Sequence, residues 1–175
     1  MRRKTRETFV ELRLNPWGRG KIDIALPDRW TCHMVETLAT YASFDLKIAA
    51  RGDLLHHLIE DAAITLGHAL RAEIGCKNIV RMGSSTVVMD DAMVTAAVDL
   101  VERPFADIKL PDKMIEHFLR SFAHEGKFTL HNLVHKGDNH HHIVEATMKA
   151  TGLALKEALR AAERFLSTKG KVREL

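Results

Sequence analysis

The sequence predicts an α+β fold made of two consecutive β-β-α-β-α half-repeats, each half's sheet packed against a helical layer. Three observations predict it. Period-two and helical stretches follow one another in the same order twice along the chain. The pattern His-His-x-x-Glu occurs once in each half, as His56-His57-Leu58-Ile59-Glu60 and as His141-His142-Ile143-Val144-Glu145. Both copies open the last helix of their half, which marks an internal repeat. Antiparallel hairpins joined to helices then imply sheets covered by helices, because each sheet must bury one apolar face.

The elements follow in order. Thr5 to Arg13 alternates as a strand and Lys21 to Ala25 as a second, with Asn15-Pro16-Trp17-Gly18 as the turn between them, so a hairpin is expected to open the chain. Arg29 to Tyr41 carries apolar residues at helical spacing, Phe44 to Ala50 reads as a strand, and Leu54 to Ile74 as a long helix stopped by Gly75. In the second half, Asn78 to Met89 and Ala92 to Leu100 read as strands, Asp112 to Glu125 as a helix, Lys127 to Val134 as a strand and Asn139 to Ser167 as a helix. Pro104 and Pro111 bracket the irregular connection. The chain of 175 residues suits one catalytic domain, residues 1–175, with half-repeats at approximately 1–76 and 77–175.

Composition narrows the function. No apolar run approaches the length that crosses a bilayer, and Met1-Arg2-Arg3-Lys4-Thr5-Arg6 leads into strand-like residues rather than a signal peptide, so a soluble cytoplasmic protein is expected. Cys32 and Cys76 form neither a disulfide framework nor a zinc knuckle. A net charge of +3, with basic residues gathered at both ends, suits a small anionic substrate. Nucleic acid is disfavoured, because aromatics are only 6% of the chain and no aromatic ribonucleoprotein motif is present.

Eleven histidines are the compositional outlier. On a helix, residues three and four apart share a face, so each glutamate stands beside its two histidines. Imidazole with carboxylate suits a borderline divalent ion such as Mn, Fe or Zn. His33 opens a helix, and His131 ends a strand whose alternation sets Lys127, Thr129 and His131 opposite Phe128 and Leu130. Divided evenly, six histidines and two glutamates give each of two ions an incomplete shell, which suits catalysis more than structure. His68, His117, His124, His135 and His140 read as surface or helix-face residues.

These residues resemble the imidazoleglycerol-phosphate dehydratase family over nearly the whole chain. The resemblance rests on Thr5-Arg6-Glu7-Thr8, His33-Met34, Gly52-Asp53-Leu54, both His-His-x-x-Glu blocks, Leu66-Gly67, Arg81-Met82-Gly83, Met89-Asp90, Arg103-Pro104, Leu130-His131, and Ser167-Thr168-Lys169-Gly170. It implies a fold like ribosomal protein S5 domain 2 and a hydro-lyase of histidine biosynthesis that converts imidazole glycerol phosphate to imidazole acetol phosphate plus water. It implies two Mn2+ per active site, with Fe or Zn as substitutes, which hold the substrate ring as an imidazolate. The implied ligands are His33, His56, His57, Glu60, His131, His141, His142 and Glu145. Glu7 and Glu145 are the implied catalytic residues, with Glu7 the candidate for proton transfer and a metal-bound water as the competing base. Arg81, Arg103, Lys149, Ser167 and Lys169 are implied to hold the phosphate, alongside Glu7 as a substrate contact. Sites shared between subunits imply a homo-oligomer, trimers assembling into a 24-subunit shell.

The chain departs from the family pattern at several positions. Leu54-Leu55 replaces an Asp-Asp before the first His-His, Cys32 replaces an aspartate, Tyr41 replaces a histidine, and Asp91 replaces a glutamate. A divergent relative with altered or lost activity, or another metal-dependent hydrolase, are the alternative readings, with an RNA-binding module behind them.

Overall fold

In the computed structural model, which describes residues 1–164 and 166, the inward-facing residues of the strands carry the fold. The first half runs β1 (Arg2–Lys4), β2 (Thr8–Asn15), β3 (Ile22–Ala25), α1 (Arg29–Ala42), β4 (Asp45–Gly52) and α2 (Leu55–Ile74). The second runs β5 (Met82–Met89), β6 (Ala92–Asp99), β7 (Phe105–Asp107), α3 (Lys113–Glu125), β8 (Thr129–Lys136) and α4 (His140–Ala158). Their sheets have matching orders, β1-β2-β4-β3 and β5-β6-β8-β7, each with two antiparallel pairings and one parallel pairing at the last edge. The doubled α+β architecture is as expected, with one further short strand in each half.

The expected opening hairpin is corrected. β2 and β3 are not neighbours, because β4 lies between them, antiparallel to β2 and parallel to β3. Asp45 explains the insertion locally: its carboxylate accepts hydrogen bonds from the backbone N–H of Arg19 (2.8 Å) and Lys21 (2.9 Å), so the turn is held by β4. The hairpin that opens the chain is β1–β2 instead. The last helix is also shorter than expected. Its final carbonyls are taken by the chain before β5, with Arg81 N–H donating to Ala158 and Val80 N–H to Arg160, and the backbone then turns to form a bridge at Ala161 with Ile79.

Helices of the two halves pack in crossed pairs, α1 with α4 and α2 with α3, while α2 covers β2 and β4 and α4 covers β5 and β6. One helical layer therefore lies between two sheets. Val10, Leu12, Leu46 and Ile48 line the inner face of the first sheet, and Val94, Ala96, Val98 and Leu130 that of the second, all buried. Fully buried Phe44, Phe118, Phe122 and Phe128 fill the space between, each side chain contributing roughly 1.5–3 kcal/mol of apolar burial.

A glycine sits at each crossed helix contact. A Cβ on Gly67 of α2 would lie 2.8 Å from the Phe122 carbonyl oxygen of α3, and one on Gly152 of α4 would lie 2.6 Å from the Leu38 carbonyl oxygen of α1. Absence of a side chain lets the helix backbones approach closely and fixes how their N-terminal ends meet.

Candidate metal centre

Those N-terminal ends carry the histidines. Asp28 caps α1 by accepting from Thr31 N–H at 2.7 Å, and Asn139 caps α4 by accepting from His141 N–H at 2.9 Å. His33, one turn into α1, then faces His141 and Glu145 at the start of α4. Glu145 Oε2 lies 2.9 Å from His141 Nε2 and 3.5 Å from His33 Nε2. One ligand atom from each residue falls within 4.8 Å of the others, so two imidazoles and one carboxylate could grip a single ion.

The surroundings of this triad are specific. Trp30 places its ring 5.0 Å from that of His141 and donates its indole N–H to Asp112, the N-cap of α3, at 2.8 Å. Lys149 Nζ lies 2.9 Å from Glu145 Oε1, with the Tyr41 ring 5.7 Å from the ammonium. Burial pushes the Glu145 carboxyl upward, but hydrogen bonds from Lys149 and His141 and the Lys149 charge outweigh it, leaving the pKa below the usual value. Lys149 is shifted the other way: burial opposes its charge, and the hydrogen bond and charge of Glu145 prevail to raise it.

A second triad stands in the matching place of the other helix pair. His56 and Glu60 of α2 meet His117 of α3, with Glu60 Oε1 3.5 Å from His117 Nε2 and the two imidazoles stacked at 4.8 Å. Each triad thus takes one histidine from the first helix of one half and a His–Glu pair from the second helix of the other. His117, read from sequence as a helix-face residue, is the internal counterpart of His33. Alignment of the half-repeats helix by helix is the signal that finds it. His131 is not brought to either triad: alternation along β8 turns it to the outer face of its sheet, beside Phe105 (5.3 Å between rings) and Asp107 (3.8 Å).

His57 and His142, the other histidines of the two motifs, are held by carboxylates. His57 Nδ1 lies 3.1 Å from Asp53 Oδ1 and 3.4 Å from Glu7 Oε2. His142 Nδ1 lies 2.6 Å from Asp91 Oδ1, and its Nε2 lies 3.3 Å from Asp90 Oδ2. The Asp53 hydrogen bond, reinforced by the charges of Glu7 and Asp53, raises the His57 pKa. Asp91 is held far below the usual carboxylate range by the backbone N–H of Asn139, by His142 and by the N–H of Asp138. Asp53 therefore supplies a carboxylate to His57 although the Asp-Asp pair is replaced by Leu54-Leu55, both exposed. The leucines leave α2 without a side-chain cap.

The residues expected to hold phosphate do not converge within the chain. Arg81 precedes β5, with its Nε 2.7 Å from Asp99 Oδ1, and Arg103 lies near it, its carbonyl accepting from Thr129 Oγ1. Lys149 reaches Met89 at the far end of β5, roughly 25 Å away along an eight-residue strand. Ser167 and Lys169 lie outside the described residues.

Two crossed His–His–Glu triads on a duplicated α+β scaffold are the build of a metal-dependent enzyme. Residues 29–155 match the sequence profile of imidazoleglycerol-phosphate dehydratase. The chain is 44% identical over 187 residues to the imidazoleglycerol-phosphate dehydratase of Thermoanaerobacter pseudethanolicus and 40% identical over 178 residues to that of Dictyoglomus thermophilum, covering 97% of this chain and 96% of the relative in both cases. Its fold is similar to the crystal structure of the Pyrococcus furiosus enzyme in complex with (S)-C348, with a TM-score of 0.87, 36% identity, and coverage of 98% of this chain and 100% of that one. The Staphylococcus aureus enzyme matches at a TM-score of 0.82 and 26% identity, over 93% of this chain and 98% of that one. The chain belongs to the imidazoleglycerol-phosphate dehydratase family, hydro-lyases of histidine biosynthesis.

Proposed function

We propose that the protein, a single catalytic domain of half-repeats at approximately 1–76 and 77–175, dehydrates imidazole glycerol phosphate to imidazole acetol phosphate with two Mn2+ ions per active site, in the cytoplasm. Fe or Zn are the substitutes. The observation that carries the reading is the pair of equivalent triads, His33–His141–Glu145 and His56–His117–Glu60. The donor chemistry fits: neutral imidazoles with one carboxylate each suit a borderline divalent cation better than Mg2+ or Ca2+, which prefer all-oxygen shells. His117 joins His56 and Glu60 within the chain, and His131, on the outer face of its sheet, stays a proposed ligand to a site in a neighbouring copy.

When bound, the two cations would stabilise the substrate's ring as an anion, so that ring electrons can expel the neighbouring hydroxyl. The chain's own residues do the rest. Glu145 is a ligand and a charge held in place by Lys149. Glu7, beside His57, is the candidate that moves the carbon-bound proton. His57 stands outside the two triads, in a third cluster with Glu7 and Asp53, and His142 is turned to Asp90 and Asp91. We therefore assign them to the shells of triads in neighbouring copies, in a homo-oligomer of trimers assembling to 24 subunits. The same sharing would bring Lys149 of one copy toward Arg81 and Arg103 of another, with Ser167 and Lys169 completing the phosphate contacts.

Tyr41, where the family has a histidine, supports a second reading, a relative with altered substrate. The test of both is turnover of imidazole glycerol phosphate by chelated protein with and without added Mn2+. Restored turnover supports the dehydratase. Equal activity in the metal-free protein overturns it, and metal binding without turnover favours the altered relative.

A further inference from the structure

The outer face of the first sheet has a charge pattern that the triads do not use. Register sets Lys4 opposite Phe9 and Phe9 opposite Arg51, so two cations flank one aromatic ring across β1, β2 and β4. Arg6 stands on the turn above them. Together with Thr5, Glu7, Thr8 and Gly52 they line a hollow of about 500 Å³. The Arg51 guanidinium lies 4.4 Å over the Phe9 ring, which fixes its position. Among the described residues, Lys4, Arg6 and Arg51 make no ion pair, whereas Arg3, on the opposite face, is paired with Asp61 at 2.6 Å. Glu7, the one acid in the lining, faces His57 at 3.4 Å.

The uncompensated charge is local. Of the neighbouring cations on the same face, Arg2 is neutralised by Glu11 and Lys47 by Asp23, each at 2.5 Å, and Arg13 lies further along β2, opposite Lys47. A polyanion tracks an extended basic surface, and this face does not offer one. A compact anion with several acceptor oxygens does match two guanidinium groups and an ammonium around one hollow.

We propose that Lys4, Arg6 and Arg51 form a phosphate-binding site, for inorganic phosphate or a phosphomonoester, separate from Arg81, Arg103 and Lys149. It shares the turn that carries Glu7, so an anion bound there sits next to the candidate proton-transfer residue. This last point rests on the dehydratase reading; the binding itself does not.

The test is calorimetric titration of the intact protein with inorganic phosphate, at low and at raised salt. Lys4→Gln combined with Arg51→Gln should weaken phosphate binding about tenfold or more, with unchanged thermal melting. Lys149→Gln should leave a phosphate site of wild-type affinity, and Arg51→Lys should keep most of the binding. Wild-type affinity in the Lys4/Arg51 double variant overturns the proposal, as does loss of all phosphate binding in Lys149→Gln. Salt-sensitive retention of a single-stranded oligonucleotide without phosphate binding also overturns it, in favour of nucleic acid. Two further arms identify the source of the phosphate. Tighter binding of glycerol 3-phosphate than of inorganic phosphate supports a phosphomonoester, and equal or weaker binding supports inorganic phosphate. Because the titration needs neither metal nor turnover, failure of the dehydratase reading leaves its result interpretable.

Discussion

His33 and His117 are internal equivalents: each stands one turn into the first helix of its half and faces the histidine and glutamate that open the second helix of the other half. The equivalence discriminates among the histidines. His117→Ala should remove one bound metal per chain, or weaken it by about 100-fold, a loss at least as large as that from removing a ligand's outer partner. His124→Ala, in the last turn of the same helix, should leave the metal content unchanged. Elemental analysis after dialysis against limiting Mn2+ checks both, and retained stoichiometry in His117→Ala would remove that residue from the site.

Glu145→Gln should abolish turnover while leaving the fold intact, since the amide keeps the shape but loses the charge that faces Lys149 and two imidazoles. The same pair has a pH signature in metal-free protein. The Glu145 pKa lies below its ordinary value of 4.5, so its contribution is present above that value and disappears as pH falls through the lowered folded pKa. The Lys149 pKa lies above its ordinary value of 10.5, so its contribution is full below that value and is lost as pH rises through the raised one. Melting temperatures of wild type and Glu145→Gln should converge at both extremes and differ between them.

Gly152→Ala should separate α1 from α4, because the added methyl meets the Leu38 carbonyl oxygen at 2.6 Å and Tyr41 Cβ at 2.9 Å. Overpacking of this kind costs about 1–3 kcal/mol. It should also weaken metal binding at the His33 triad more than at the His56 triad. Urea unfolding and metal titration of one variant measure the two effects.

Asp61 is buried, pairs with Arg3 and accepts a hydrogen bond from Thr8 Oγ1, tying β1 and β2 to α2. Asp61→Ala leaves a partly buried guanidinium and a hydroxyl without their acceptor, and should destabilise the fold by about 2–3 kcal/mol. A drop in the urea midpoint at unchanged slope is the expected result.

Removal of metal should change the particle size if histidines are shared between copies. Light scattering with and without chelator, then after Mn2+ is returned, reads this directly. A mass indifferent to metal contradicts shared sites.

Much of this architecture is legible in the sequence, for identifiable reasons. Eight-residue strands such as β6 alternate buried and half-buried residues over their full length, and the long helices repeat their apolar face several times. β1 and β7 have only three residues each, too few for a period to show. The neighbour of β2 is decided by Asp45, far along the chain, which no local pattern carries. The paired histidines of α2 and α4 announce themselves by adjacency, whereas His117 has no neighbouring histidine or His-x-x-Glu pattern on α3 and acquires meaning only from what the fold sets beside it. Trp30 is of the same kind, since its hydrogen bond to Asp112 exists only across elements.

Because every triad draws on both halves, neither half could assemble one by itself. A lone ancestral half would have needed a second copy, related by a two-fold axis, to bring its first helix against the other's His–Glu pair. The present chain is in that sense a homodimer joined end to end, and its asymmetries, Trp30 beside one triad and Lys149 paired with only one glutamate, are what fusion permits and identical subunits forbid.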